Sequence, residues 1–243
     1  MSAPATLPDV RHARCAAIIV ASGRSPRTGG IDRSLALLGG KSVITWSLEA
    51  FQAHGRIHEI VLVVPAPDTP TYQWLSMKHH INKLSRIVGG GGDRQECVQV
   101  GLRLLTRADV VVIHDGANPF VTREEISAVV LGALDVGAAA VGEPCKGTLR
   151  KVGDDMLSEG VVPRRDVWCM QTPQAFRYEL ALAAYERAAQ DGFHGSDDVQ
   201  LVERMGGKAR MLRSSAHHVA IHTAADLELA EALLRCRSAR ASP

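Results

Sequence analysis

Short, continuously apolar runs recur along this chain, and each is followed by a segment with helical periodicity. Residues 15–20, 59–64 and 109–113 are apolar at almost every position, which predicts strands that are buried on both faces. Residues 42–54 and 94–105 place apolar side chains at helical spacing. Strands that alternate with helices in this way favour a mostly parallel α/β sheet with right-handed connections. The 243 residues are enough for one such domain.

The later part of the chain continues this alternation and adds a predicted arm. Residues 148–152 and 161–163 are short and flanked by polar residues, which predicts a hairpin that projects from the main body. Thr122 predicts the capped start of a helix over 123–134. Further predicted elements are a strand at 138–141, helices at 177–190 and 197–205, strands at 209–212 and 219–221, and a last helix from Thr223 through Leu234. The predicted division is a flexible leader (1–14), one domain (15–236) with its arm at about 145–165, and a tail (237–243).

Composition excludes several classes of function. The net charge is +2, from 28 basic and 26 acidic residues, and aromatic residues make up 4%. A nearly balanced charge argues against a dedicated nucleic-acid binder, and few aromatics argue against a platform for single strands. The five cysteines have no zinc-site spacing, and the amino terminus has no signal-peptide core. We therefore expect a cytoplasmic protein without a membrane span.

The loop after the first strand is small, contains glycines and is basic. Ala21-Ser22-Gly23 begins this loop, and Arg24 and Arg27 follow. Small residues let backbone N–H groups approach a ligand and arginines supply charge, a combination that suits a polyphosphate. The loop has neither the dinucleotide fingerprint nor a Walker sequence, and the isolated Gly40-Lys41-Ser42 lacks the preceding strand end. A strand that runs into such a loop is also common in proteins that bind nothing there.

Two further strand ends carry candidate chemistry. His114-Asp115 directly follows the run at 109–113, where a carboxylate can hold Mg²⁺ near phosphates. The alternative is an Asp that caps the following turn. The glycine run 89–92 is consistent with close backbone approach to a nucleotide base, but, taken alone, the run favours a flexible loop. Asp197-Asp198 is better explained by an acidic helix N-terminus than by a metal site. The stretch 171–176 is compatible with a structural turn.

In their order along the chain, these pieces resemble the 2-C-methyl-D-erythritol 4-phosphate cytidylyltransferase family, over about 16–234. The resemblance implies a single-domain mixed, mostly parallel sheet of nucleotide-diphospho-sugar transferase (Rossmann-like) type with a projecting β-arm. The residues that carry it are Ala21-Ser22-Gly23 with Arg27, Gly90-Gly91 with Arg94, His114-Asp115, Gly147-Thr148, Arg164 with Trp168, Gln171-Thr172-Pro173-Gln174-Ala175-Phe176, and Ser196-Asp197-Asp198.

The resemblance also implies a reaction, a cofactor and roles for individual residues. Members of the family transfer CMP from CTP to 2-C-methyl-D-erythritol 4-phosphate, with a divalent cation, Mg²⁺, and they pair as homodimers through the arm. The roles carried over are nucleotide binding by Ala21, Ser22, Gly23, Gly90, Gly91 and Cys97, catalysis by Arg27 and Arg33, metal binding by Asp115, and acceptor binding by Thr148 and Arg164, the last two in the partner's site.

The chain departs from the family where the chemistry takes place. Arg33 stands where the family has a lysine, and Ala220 stands where it has a second lysine. Asn118 replaces an arginine, and Cys97 replaces a small hydroxyl residue. An arginine is not equivalent to a lysine in a tight phosphate site. Three hypotheses follow: turnover of methylerythritol phosphate, the same chemistry on another polyol phosphate or a phosphonate, and nucleotide binding without turnover.

Overall fold

The computed structural model describes residues 12–21, 33–216 and 218–241 of the chain, and these residues form an α/β domain. The strands are β1 (Cys15–Val20), β2 (Leu37–Leu38), β3 (Lys41–Ser42), β4 (Ile57–Val64), β5 (Leu84–Gly89), β6 (Val110–Asp115), β7 (Ala138–Pro144), β8 (Leu149–Val152), β9 (Ser158–Val162), β10 (Trp168–Arg177) and β11 (Ala209–Arg213). The helices are α1 (Val43–Ala53), α2 (Thr69–Lys78), α3 (Arg94–Leu104), α4 (Arg123–Val136), α5 (Tyr178–Asp191), α6 (Asp198–Arg204) and α7 (Ala224–Ala241).

One sheet of seven strands organises the domain, in the order β11-β7-β10-β6-β1-β4-β5. All of these strands run in the same direction except β10, which is antiparallel to both β6 and β7. In the central pair, Val20 at the end of β1 lies beside Asp115 at the end of β6. The carboxyl ends of the parallel strands therefore meet at one edge, where open α/β sheets bind their ligands.

Two hydrophobic cores cover the faces of this sheet. One core packs α1, α2 and α4 against the sheet and contains Phe51 and Tyr72, both fully buried. The other packs α3, α5 and α6 against the opposite face and contains Leu102 and Tyr185. The continuous apolar run of β1 is explained by this arrangement, because every one of its residues is at most 1% exposed. Burying a side chain the size of Phe51 stabilises the fold by about 2–3 kcal/mol.

Side-chain caps set the starts of the helices that border the carboxyl edge. Thr122 Oγ1 accepts from the N–H of Glu125 at 3.1 Å, and Glu125 Oε2 accepts from the N–H of Thr122 at 2.8 Å. Asp93 caps α3 through the N–H of Glu96 at 2.8 Å. These carboxylates and hydroxyls satisfy N–H groups that a helix leaves unpaired at its first turn. The predicted capped start of the helix after Thr122 is thus confirmed.

The structure corrects the sequence predictions in the carboxyl-terminal third. The stretch 171–176, which in sequence is compatible with a structural turn, belongs to β10, whose apolar pattern is interrupted by the polar residues and proline at 171–174. The predicted strand at 219–221 is irregular backbone. The last helix extends beyond Leu234 to Ala241, into the segment predicted as a tail. The predicted hairpin of the arm is confirmed, since β8 and β9 pair antiparallel.

Candidate active site

A cavity of about 370 Å³ opens at the carboxyl edge of the sheet. The end of β6 and the start of α3 form one side of it. The residues 170–174 of β10 and the irregular segment before α7 complete its lining. The residues that line it include Arg94, Asp115, Asn118, Thr172, Gln174, Asp197, Ala220 and His222. A cavity with charged and amide side chains at this edge is the default location for a ligand in an α/β sheet.

Asp115 projects into this cavity from the end of β6. Its Oδ1 accepts from the N–H of Ala117 at 2.9 Å, so this oxygen caps the following turn while the residue lines the cavity. The turn is tight: a Cβ on Gly116 would lie 2.3 Å from Ile44 Cδ1. The neighbouring His114 is fully buried, and burial lowers its pKa to about 3, so the imidazole is neutral.

The donors at Asp115 fit Mg²⁺ better than a metal that needs a protein cage. Among the described residues no three His, Cys, Asp or Glu side chains come together around a common point. Mg²⁺ is usually bound through one or two carboxylates together with substrate phosphates and water. One carboxylate oxygen of Asp115 that faces a cavity therefore suits this ion, with the remaining ligands supplied by a nucleotide.

Arg94 is a cationic residue that lines the cavity, and the sequence analysis assigned it no role in the site. Its guanidinium makes two hydrogen bonds of 2.7 Å to the Asp198 carboxylate, which also accepts from the Tyr185 hydroxyl. Burial would lower the pKa of Arg94, but the charge and hydrogen bonds of Asp198 raise it above its ordinary value. The motif that pairs Gly90-Gly91 with Arg94 contained the signal for this residue.

Asp197 and Asp198 have separate structural roles. Asp197 caps α6 through the N–H of Gln200 at 2.8 Å, while Asp198 is 1% exposed and pairs with Arg94. The prediction that these acids mark a helix N-terminus is confirmed. Asp197 also lines the cavity, and burial raises its pKa.

The glycines after β5 pack closely on the start of α3. A Cβ on Gly90 would lie 2.5 Å from Cys97 Sγ, and one on Gly91 would lie 2.4 Å from Glu96 Cβ. Gly90 N–H also donates to Val64 O at 2.8 Å, which fixes this backbone at the end of β4. Burial raises the pKa of the Cys97 thiol, so this side chain is a neutral group beneath the glycine turn. The close packing explains why only glycine fits at these two positions.

Arg33 and His222 meet at the rim of the cavity. Arg33 Nη1 donates to His222 Nδ1 at 2.7 Å, and His222 lines the cavity together with Ala220. The backbone of His222 is held by the carboxylate of Asp226, which accepts its N–H at 2.9 Å. The guanidinium of Arg33 therefore lies next to the wall that contains Ala220.

Several predicted site residues lie outside the described residues or away from the cavity. Ser22, Gly23 and Arg27 fall in 22–32, which the structure does not describe. Ala21 directly follows β1 and donates its N–H to Val63 O at 2.8 Å, next to the edge where Asp115 lies. Thr148 and Arg164 lie in the arm and do not line the cavity of their own chain; Arg164 donates to Lys146 O.

Lys41, in the isolated Gly40-Lys41-Ser42 sequence, makes its contacts within the fold. Its ammonium pairs with the Glu49 carboxylate and lies 3.8 Å from the centre of the Trp46 ring. The segment forms the hairpin between β2 and β3, whose glycines adopt positive φ. This lysine is therefore engaged within the fold, as expected for a sequence that lacks a Walker context.

The fold and the cavity define the class of the protein: an α/β nucleotidyltransferase. A sequence model of the IspD family, 2-C-methyl-D-erythritol 4-phosphate cytidylyltransferase, matches residues 15–236. The chain therefore belongs to the 2-C-methyl-D-erythritol 4-phosphate cytidylyltransferase family. No helix in the described ranges is both long and apolar enough to cross a membrane.

Two relatives and a solved structure agree with this assignment. The 2-C-methyl-D-erythritol 4-phosphate cytidylyltransferase of Shouchella clausii is 37% identical over 223 residues, which is 91% of this chain and 97% of the relative. That of Caldanaerobacter subterraneus is 38% identical over 222 residues, or 90% and 98%. The 4-diphosphocytidyl-2C-methyl-D-erythritol synthase structure from Anaerococcus prevotii has a TM-score of 0.83 at 27% identity and covers 93% of this chain and 98% of its own.

Proposed function

We propose that this protein transfers a cytidylyl group from CTP to 2-C-methyl-D-erythritol 4-phosphate and releases pyrophosphate. The observation that carries the proposal is the family match over residues 15–236, which includes every element that surrounds the cavity. The product would be a precursor in the non-mevalonate route to isoprenoids. This chain matches 97% and 98% of the length of two relatives that bear this name.

The proposed reaction needs positive charge more than it needs a nucleophile from the protein. An oxygen of the acceptor phosphate forms a bond to the α-phosphorus of CTP. The bond from that phosphorus to the bridging oxygen breaks, and the electron pair leaves with pyrophosphate. Both reactants are anions, so fixed cations must stabilise the transition state. Arg94 at the cavity and Arg33 at its rim supply two of these charges, and Arg27 is expected to supply a third.

We propose Asp115 as the protein ligand for Mg²⁺. The ion, when bound, would neutralise charge on the nucleotide phosphates. The role of Asp115 is then to hold one coordination position at the end of β6, where the turn fixes its Oδ1 and the residue lines the cavity. The glycine turn at Gly90-Gly91 is proposed to lie under the base, where its backbone can approach closely.

We further propose that the protein is a homodimer in which each arm completes the partner's acceptor site. The arm exposes apolar side chains that a monomer would leave in water: Val152 is 49% exposed, Leu157 is 67% exposed and Met156 is 82% exposed. Pairing with a second copy would cover them and bring Thr148 and Arg164 to the other cavity. Light scattering on the purified protein measures the mass directly, and a monomer at all concentrations would remove this proposal.

A cytoplasmic location is part of the same proposal. All five cysteines are free thiols, which is the usual state in a reducing compartment. Imaging the tagged protein in its host would test the location.

Pyrophosphate release tests the proposed reaction against its alternatives. Turnover with CTP, Mg²⁺ and methylerythritol phosphate at ordinary rates supports it. The changed cavity residues Ala220 and Asn118 favour a second candidate, transfer to another polyol phosphate or a phosphonate, and turnover only with such an acceptor would select it. Calorimetric binding of CTP without turnover on any acceptor would leave a nucleotide-binding homologue. In the active enzyme, Arg27→Ala is expected to abolish turnover with little change in melting temperature.

A further inference from the structure

Thr172 lies where the sheet register breaks, between the cavity and the end of β6. The pairing of β10 with β7 shifts between Met170 and Gln174, so residues 171–173 bulge out of the regular ladder. Thr172 is 8% exposed and lines the cavity. Bulges next to sites commonly redirect a side chain, and here the bulge directs the Thr172 hydroxyl across the strand boundary toward His114 and Asp115.

Three groups contact this hydroxyl, and together they use all of its hydrogen-bonding capacity. The N–H of Asp115 donates to Thr172 Oγ1 at 3.1 Å, and Asn118 Nδ2 donates at 2.9 Å. The third neighbour is His114 Nδ1 at 3.2 Å. A hydroxyl accepts two hydrogen bonds and donates one. Because two N–H groups take both lone pairs, the hydroxyl proton must point at His114 Nδ1.

This assignment fixes the tautomer of His114. Since Nδ1 accepts the proton of Thr172, it carries no hydrogen, and the ring hydrogen lies on Nε2. Nε2 is 3.1 Å from Asn118 O and donates to it. Every polar group in the set except Asn118 Oδ1 then has a partner: Thr172 holds the start of the turn 115–118 through Asp115 and its end through Asn118. His114, which belongs to β6, also contacts the end of the turn through its hydrogen bond to Asn118 O.

We infer that Thr172 is a positioning residue that holds the turn 115–118, through its contacts with His114 and Asn118, so that the Asp115 carboxylate faces the cavity. The inference rests on the proposed role of Asp115 as a metal ligand. It also gives Asn118 a role in this chain: where the family has an arginine, the asparagine is 4% exposed and donates to Thr172.

The test compares Thr172→Val, which keeps the shape but removes the hydroxyl, with Thr172→Ser, which keeps the hydroxyl. Mn²⁺ binding in the presence of CTP is measured by electron paramagnetic resonance, and CTP binding without metal is measured by calorimetry. Loss of a group that orients a metal ligand typically costs about 10- to 100-fold in affinity or activity. We expect that loss of Mn²⁺ affinity and of kcat in Thr172→Val, unchanged metal-free CTP binding, and recovery to within about threefold in Thr172→Ser.

Nitrogen NMR of the wild-type protein gives a second test that needs no variant to fold. The His114 ring is expected as the Nε2–H tautomer, with an Nδ1 that accepts a hydrogen bond. Observation of the Nδ1–H tautomer would overturn the inference, as would wild-type Mn²⁺ affinity in Thr172→Val or equal losses in the Val and Ser variants. If the wild-type protein turns over no acceptor, the proposed function fails, but the Mn²⁺ and NMR comparisons still decide the role of Thr172.

Discussion

Replacing Asp198 by Asn would remove the charge that holds Arg94 at the cavity. Asp198 is 1% exposed, and its two carboxylate oxygens each accept from Arg94 at 2.7 Å. Removing one partner of a buried pair typically costs about 3–5 kcal/mol, because the other charge is left buried. The Arg94 side chain is 30% exposed and can be partly hydrated, so we expect the lower end, about 3 kcal/mol. For a domain of this size that corresponds to a decrease of roughly 6–12 °C in melting temperature.

Calorimetry and urea unfolding of wild-type and Asp198→Asn protein measure this cost. Tyr185→Phe removes only the hydroxyl that donates to the same carboxylate, so its cost is expected to be smaller, about 1–2 kcal/mol. Asp191→Asn is the matched control, because Asp191 pairs with Arg187 and Arg204 at the surface, where ion pairs contribute little. A decrease below about 3 °C in Asp198→Asn, or one no larger than in Asp191→Asn, would refute the reasoning.

Three further predictions concern pH, the rim of the cavity and the arm. Burial raises the pKa of Glu125, but the His218 ring 3.5 Å away and hydrogen bonds from the backbone N–H groups of Ser215 and Thr122 outweigh it and lower the pKa from 4.5 to about 2. The free energy of unfolding should therefore fall as the pH decreases from about 4.5 toward 2, by an amount on the order of 3 kcal/mol that is missing in Glu125→Gln. His222→Ala should lower kcat/KM about 10- to 100-fold, because Arg33 loses the acceptor that holds it. Oxidised glutathione should join Cys145 to Cys169, whose Sγ atoms are 3.3 Å apart, with release of two reduced glutathione molecules and the loss of two hydrogens from the intact mass.

Each of these predictions has a control within the chain. Glu124→Gln changes an exposed carboxylate in the same helical turn and should leave the acid profile unchanged. Arg33→Ala should lower turnover by roughly 10²–10³-fold, which is more than His222→Ala. A larger loss in His222→Ala would contradict the proposal that His222 acts by holding Arg33. Cys236→Ser removes an exposed free thiol and should leave the intramolecular cross-link intact. An intact mass that is unchanged after oxidation would contradict the prediction for the arm.

Apolar runs and caps carried most of the fold prediction, because these signals are local. The strand β1 and the helix after Thr122 could be predicted from the sequence, since burial on both faces requires a continuous apolar run and a capping box requires fixed spacing. The strand β10 could not be predicted in this way. Gln171 and Thr172 in the middle of this strand line the cavity. These polar residues interrupt the apolar pattern that would identify a strand.

The candidate site was predictable residue by residue only where a motif marks it. Asp115 stands at a strand end, and this position together with the family resemblance pointed to the edge where the cavity lies. Contacts between distant segments had no local signal: Arg94 meets Asp198 and Arg33 meets His222 only because the sheet order brings these segments together. The family resemblance marks Ala220 as a position where a positive charge is missing. Only the structure shows that Arg33 lies beside the cavity wall that contains Ala220.

The position of β10 has a consequence for how the chain is made. It is inserted between β6 and β7, two strands that leave the ribosome before it. Until residues 168–177 emerge, both strands present unpaired backbone groups on the sides that β10 will later occupy, and such edges readily pair with other chains. A nascent or truncated chain that stops short of residue 177 is therefore the form of this protein most prone to aggregate, and the one that depends most on chaperones.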